Sequence, residues 1–161
     1  MTDLRETMTQ TLRKVLHAYV DVSTNRDITL LSTDLDPSCT RSFAPTSFLE
    51  AIGVPTDTKA LLTNAQYEAA YGQNQAAVTM KTVEISNIVI DTANKTAAAH
   101  TKYVNEYKDK GGEEMVMEFA WFLGFNEDGT KVNSIIEFAD SLESVRFHER
   151  VAGILKERSA E

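Results

Sequence analysis

A single carboxylate stands in one of the most apolar stretches of the chain. Glu137 sits inside Ile135-Ile136-Glu137-Phe138-Ala139. A lone acid in such a run is paired, protonated or exposed to a cavity, because an isolated buried carboxylate is too costly to keep charged. Two other groups suited to proton transfer or charge stabilisation, His100 and Lys102, lie two residues apart in the segment 96–107. In an extended strand they share a face with Val104, and Ala99, Thr101 and Tyr103 share the other. In 132–140, Ile135, Glu137 and Ala139 go together, opposed by Ser134, Ile136, Phe138 and Asp140. Parity gives the residues that share a face, not which face is inner. The chemistry open to these types is acid–base. Burial raises a glutamate toward the working pH, a histidine shuttles protons near neutrality, and a cation stabilises a developing enolate or alkoxide.

The elements that must position these groups follow from periodicity. Residues 3–20 predict an amphipathic helix, with Leu4, Met8, Leu12, Val15, Leu16 and Tyr19 at helical spacing and Asp3 with Glu6 at its start. Residues 21–37 allow a short second helix at most, and Ser38–Phe43 a first short strand. The segment 44–55 predicts an ordered loop with about one helical turn, whose Phe48, Leu49, Ile52 and Val54 should cover something apolar. Thr63-Asn-Ala-Gln66 is a capping box for a helix reaching about Ala77, with Tyr67 and Tyr71 one turn apart on one face. Four strands follow, at 80–90, 96–107, 115–125 and 132–140, with turns at 91–95, 109–112 and Asn126-Glu127-Asp128-Gly129. The run Phe119-Ala-Trp-Phe-Leu-Gly-Phe125 is apolar enough to need cover on both faces. Ser141 to about Arg158 predicts a closing helix. Segregated helices and strands mean α+β: helices folded onto one face of a curved antiparallel sheet, leaving a cavity in a cone.

Composition narrows the function classes. The 161 residues are most simply one domain, 1–161, large enough for a core. A net charge of −8, without any basic stretch, argues against nucleic-acid binding. The lone Cys39 excludes an intramolecular disulfide, gives no support for a metal site, and predicts a buried thiol. The start MTDLRETMTQ lacks the apolar core of a signal peptide, and no apolar run approaches the roughly 20 residues of a membrane helix. The expectation is a cytoplasmic protein without membrane or nucleic-acid partners.

Four segments carry a family resemblance across nearly the whole chain: Cys39-Thr-Arg-Ser-Phe-Ala-Pro-Thr-Ser47, Asn64-Ala-Gln-Tyr67, Met117-Glu-Phe-Ala-Trp121 and Ile136-Glu-Phe-Ala-Asp-Ser141. In register, they resemble the NTF2-like, SnoaL-like cone fold, and within it the small fungal isomerases and cyclases of meroterpenoid and xanthone biosynthesis. The resemblance implies cofactor-independent acid–base rearrangement of an oily, oxygenated small molecule, and a homodimer formed through the outer sheet face. It also brings a departure, since Arg41 stands where the family pattern has a histidine. Cone-fold epoxide hydrolases are similar in lining their cavity from the middle and last strands. Laid on this chain, those positions fall at His100, Lys102 and Glu137, and Lys102 in place of an acid argues against epoxide hydrolysis by that route.

The expected site is therefore Glu137 and His100 dividing the base and acid roles, with Arg41 and Lys102 holding oxyanions. Tyr67, Trp121, Phe119 and Met117 would line the substrate pocket, Tyr67 donating a hydrogen bond. Plainer readings stay open beside it: Glu137 in a structural ion pair, His100 and Lys102 facing solvent, Arg41 fixing a loop, and Trp121 as core. So do a noncatalytic small-molecule-binding module and, ranked last, a protein–protein adaptor.

Overall fold

The computed structural model describes residues 3–53 and 61–160. Helix α1 (Leu4–Asn25) leads through a 3₁₀ turn (Ile28–Ser32) to β1 (Leu35–Ala44). The short α2 (Thr46–Ala51), α3 (Asn64–Asn74), the strands β2 (Val78–Asp91), β3 (Thr96–Tyr107), β4 (Glu114–Phe125) and β5 (Val132–Ala139), and α4 (Ser141–Ser159) follow. The five strands form one sheet in the order β1-β5-β4-β3-β2, antiparallel except for the parallel pair β1–β5. This is the expected α+β class, with helices on one face of a curved sheet.

Local chemistry explains the boundaries. Asp3 caps α1 by accepting from the Arg5 amide, and Arg26, at φ 57°, ends it in the left-handed region, five residues later than the periodicity predicts. The Thr63–Gln66 capping box is present in both directions. Helix α3 stops at Asn74, short of Ala77, where the chain turns into β2. Strand β1 is longer than expected. It lies at the sheet edge, and its register breaks between Leu35 and Thr40, so Pro37 falls where a missing N–H is tolerated. Irregularities in the β2–β3 pairing at 80–82 and 86–89, with Asn87 at φ 51°, bend the sheet into a bowl.

Along β3, β4 and, from Ser134 onward, β5 the odd-numbered residues point into the bowl and the even-numbered ones out, while Val132, before the irregularity in the β4–β5 register, is buried. The buried face of α1 (Met8, Leu12, Leu16 and Val22) fills one end of the bowl against Leu123, Val132 and Ile135. The stretch after β1 packs as expected: Phe48 is buried, its ring 5.9 Å from that of His148 on α4. Val54 lies outside the described residues. Cys39 is a buried free thiol. Among the described residues, no helix is long and apolar enough to cross a membrane.

The β4–β5 turn docks on α1. Gly129 has φ 73°, its carbonyl accepts from Thr11 Oγ1 at 2.8 Å, and a Cβ there would lie 2.7 Å from Met8 Cγ. Gly129→Ala is therefore expected to cost about 1–3 kcal/mol, combining a disfavoured φ with overpacking, and chemical denaturation measures it.

Candidate active site

Beyond the packed end, the bowl stays open as a cavity of about 790 Å³. Tyr19 of α1, Tyr67 and Tyr71 of α3, Tyr103 of β3, Trp121 of β4 and Glu137 of β5 are part of its wall. Glu137 pairs in register with Trp121 on β4 and with Phe43 on β1. Two positions back on β1, on the same face, Arg41 reaches behind this wall.

Arg41 Nη1 lies 3.2 Å from Glu137 Oε2 and donates to Tyr19 Oη at 2.5 Å. Its guanidinium carbon sits 3.6 Å from the centroid of the Tyr67 ring. Its backbone is held as well, exchanging both hydrogen bonds with Leu62, at 3.0 and 2.8 Å. Tyr19 and Tyr67 join oxygen to oxygen at 3.1 Å. Arginine only donates, so Tyr19 accepts from it, and either hydroxyl can supply the hydrogen between Tyr19 and Tyr67. With that hydrogen supplied by Tyr19, Tyr67 offers its own to the cavity. The result is a hydrogen-bonded chain from a buried cation to a cavity-lining hydroxyl, with a carboxylate beside it.

The electrostatics follow from burial. Glu137 is 8% exposed, and desolvation lifts its carboxyl above the ordinary value, Arg41 opposing without cancelling the effect. Burial also works against the charge of Arg41, but Tyr19, Tyr67 and Glu137 outweigh it, and the guanidinium is held above its ordinary value. Burial pushes Tyr19 up to about 12 and raises Tyr67, Tyr71 and Tyr103, so all four phenols are neutral donors near pH 7. The set contains a base with a raised pKa, a fixed cation and a neutral donor, which suits proton removal at one substrate atom and charge stabilisation at another.

The sequence-based expectations divide cleanly. The structure brings together Glu137, Tyr67, Trp121, Phe119 and Met117 around the cavity, with Arg41 directly behind. His100 and Lys102 are on the other side of the sheet, which corrects their expected placement opposite Glu137. On the outer face His100 Nε2 lies 2.8 Å from Glu118 Oε2, and Lys102 Nζ lies 3.6 Å from Glu118 Oε1. The reason is parity: residues 100 and 102 alternate with Ala99, Thr101 and Tyr103, whose side chains are buried. The even face of β3 also carries Glu106. Arg41 is corrected in one respect: it is shielded from the cavity by Tyr19 and Tyr67 and does not reach an oxyanion itself. Sequence reasoning missed Tyr19, although its place at the end of the apolar stripe of α1 is a usable signal. It also missed Tyr103 and Asn105, which share the inward parity.

Two outcomes follow from the buried pair. Arg41→Met is expected to destabilise the fold by about 3–5 kcal/mol, because Glu137 is left buried and unpaired, and Arg41→Met/Glu137→Leu should recover much of the loss in a thermodynamic cycle. Between the ordinary glutamate value of 4.5 and the raised folded value, the folded chain keeps a proton that the unfolded chain has released. The contribution of Glu137 to stability therefore falls as pH rises through that window, and Glu137→Gln should remove this slope from denaturation curves taken across it.

No protein-family model matches this chain, and no curated protein matches it. Solved structures do. The pinacolase BvnE from Penicillium brevicompactum is 24% identical over 99% of this chain and 100% of its own, with a TM-score of 0.73. PrhC from Penicillium brasilianum is 17% identical over 94% and 91%, with a TM-score of 0.70. AusH from Aspergillus nidulans is 22% identical over 83% and 85%, with a TM-score of 0.59. At these identities the likeness is one of fold, and that fold is the NTF2-like, cystatin-like cone that the resemblance in the sequence implies.

Proposed function

We propose that this chain is an acid–base isomerase or cyclase that rearranges a hydrophobic, oxygenated secondary metabolite of the polyketide or meroterpenoid class. The observation that carries the reading is Glu137: a carboxylate with a raised pKa in the wall of an otherwise largely apolar cavity, beside a buried cation and a cavity-lining phenol. A volume of about 790 Å³ suits a multi-ring molecule. The fungal structures of the same fold support the direction, since one of them is a pinacolase.

In this reading Glu137 takes a proton from a hydroxyl or activated carbon of the substrate. The electron pair released drives bond migration or ring closure, and a second substrate oxygen gains negative charge. Tyr67 donates to that oxygen. Tyr19 and Arg41 polarise Tyr67 from behind, so Arg41 acts as a positioning residue. The proton on Glu137 returns to the product, and the net change is an isomerisation. A 1,2-shift of the α-hydroxy-ketone type, in which a hydroxyl becomes a carbonyl as a carbon substituent moves to the neighbouring carbonyl carbon, whose C=O π bond opens to an alkoxide that is then protonated, makes these demands.

The test is product analysis with purified protein and a panel of oxygenated polyketide and meroterpenoid intermediates. Glu137→Gln should lower kcat by about 10²–10⁴, while His100→Ala and Lys102→Ala keep full activity. With Glu137 as base, the rate should rise with pH to a plateau whose midpoint lies above the ordinary carboxylate value. Arg41→Met should move that midpoint further up, because Arg41 is what opposes the effect of burial. Tight binding without turnover, or full activity in Glu137→Gln, would overturn the catalytic reading.

The same reading includes a homodimer through the outer sheet face. Phe122 (48% exposed), Ile136 (44%) and Phe138 (46%) lie there on two adjacent strands, with Phe122 and Ile136 paired in register. Light scattering should give a dimer mass at micromolar concentration, and Ile136→Lys/Phe138→Lys a monomer.

A further inference from the structure

Buried threonines elsewhere in the bowl are satisfied. Thr101 Oγ1 accepts from Trp121 Nε1 at 2.8 Å, and Thr11 Oγ1 donates to the Gly129 carbonyl. A second part of the cavity wall breaks this rule. Asn105 of β3 and Ser144 of α4 are each 1% exposed, yet among the described residues Asn105 Nδ2, Asn105 Oδ1 and Ser144 Oγ have no hydrogen-bond partner, and neither does Nε2 of Gln75, which follows α3. All three residues line the same cavity as Glu137. Leaving such atoms unpaired costs free energy, so their retention points to a partner that arrives with a ligand.

We infer that Asn105, Ser144 and Gln75 form a second hydrogen-bonding subsite that takes a neutral hydroxyl group of the molecule bound in the cavity. The inference rests on the proposed small-molecule reading and adds where and how that molecule is held. The donor and acceptor set gives the class. The Asn105 amide offers one acceptor and one donor group, Ser144 offers both, and Gln75 adds a donor, which matches a group that donates and accepts from one oxygen. The charged groups at this end are engaged elsewhere: Lys108 Nζ donates to the Gln75 carbonyl at 2.6 Å, and Arg150 pairs with Asp109 at 2.6 Å. A carboxylate or phosphate would be buried there without a cation, so the guest is neutral.

Placement sets the shape of the guest. Ala99 and Glu137 both pair with Trp121 in register, and Asn105 lies six residues further along β3. That is roughly 20 Å of strand contour, shorter across the bowl of a curved sheet. A molecule that engages both sites is elongated, with its reacting centre at Glu137 and a hydroxyl at the opposite end.

The experiment uses a matched probe pair, 4-cyclohexylcyclohexanol and bicyclohexyl, titrated into the full chain. Trp121 is the one tryptophan of the sequence and lines the cavity, so its fluorescence reports occupancy. The alcohol should bind about tenfold more tightly than the hydrocarbon. Asn105→Leu should reduce that preference to near unity while keeping the hydrocarbon affinity, and Ser144→Ala should reduce it in part. Asn105→Leu should also raise Tm by several degrees, since two unsatisfied buried atoms disappear. A preference that survives Asn105→Leu, or a lowered Tm in that variant, overturns the inference. Equal binding of both probes by the native chain overturns the subsite alone. Failure of both probes to bind overturns the small-molecule reading beneath it.

Discussion

The arrangement depends on one constraint: Arg41 and Glu137 are buried together and each is tolerable only because of the other. Removing a guanidinium and a carboxylate from water carries a penalty of several kcal/mol per ion, which good geometry and further hydrogen bonds must offset. The structure meets that demand with Tyr19 accepting from the guanidinium, the Tyr67 ring stacked on it, and the Leu62 backbone fixing the arginine's own main chain. The three partners come from α1, α3 and the segment just before α3. The ion pair therefore dictates where two helices sit on the sheet, and the aromatic cluster they bring with them becomes the cavity wall. Ring centroids of 5.4 Å for Tyr19–Tyr71, 5.9 Å for Tyr19–Trp121 and 6.0 Å for Tyr67–Tyr71 show that these side chains pack on one another as well as on the pair.

The two faces of the sheet carry ionisable groups on opposite terms. On the outer face, Glu118 sits between His100 and Lys102 with water at hand. The His100 hydrogen bond, with Lys102 adding to it, holds its carboxyl below the ordinary value. On the inner face Glu137 is buried beside a single cation, and desolvation wins. The same residue type on adjacent strands thus takes opposite shifts, and only the inner one moves toward the pH range where proton transfer at neutrality is useful.

Much of this was readable from the sequence, in a specific sense. The strands at 96–107 and 115–125, the capping box at Thr63 and the closing helix at Ser141 follow from periodicity and turn chemistry, which are local. Glu137 stood out because its neighbours are apolar, and that too is local. The choice between the two faces of β3 was not: His100 and Lys102 look like catalytic groups, and only the burial of Ala99, Thr101 and Tyr103 beneath the helices assigns them to the outside. Arg41 likewise could be picked out from the motif around it, but its position behind two tyrosines depends on Tyr19, 22 residues away. What escaped the sequence is contact between distant elements, the part of folding that residue type does not encode.

The parallel pairing of β1 with β5 has a consequence for when the site comes into existence. Hairpins β2–β3, β3–β4 and β4–β5 join neighbours in the chain, whereas Arg41 and Glu137 are separated by 96 residues. Closing so long a loop costs entropy that the local hairpins do not, so non-local pairings of this kind form slowly. A chain still emerging during synthesis has its cation long before its carboxylate, and one truncated before Glu137 never unites them. The buried ion pair is thereby withheld from chains that end before β5, and its presence marks a sheet that has closed.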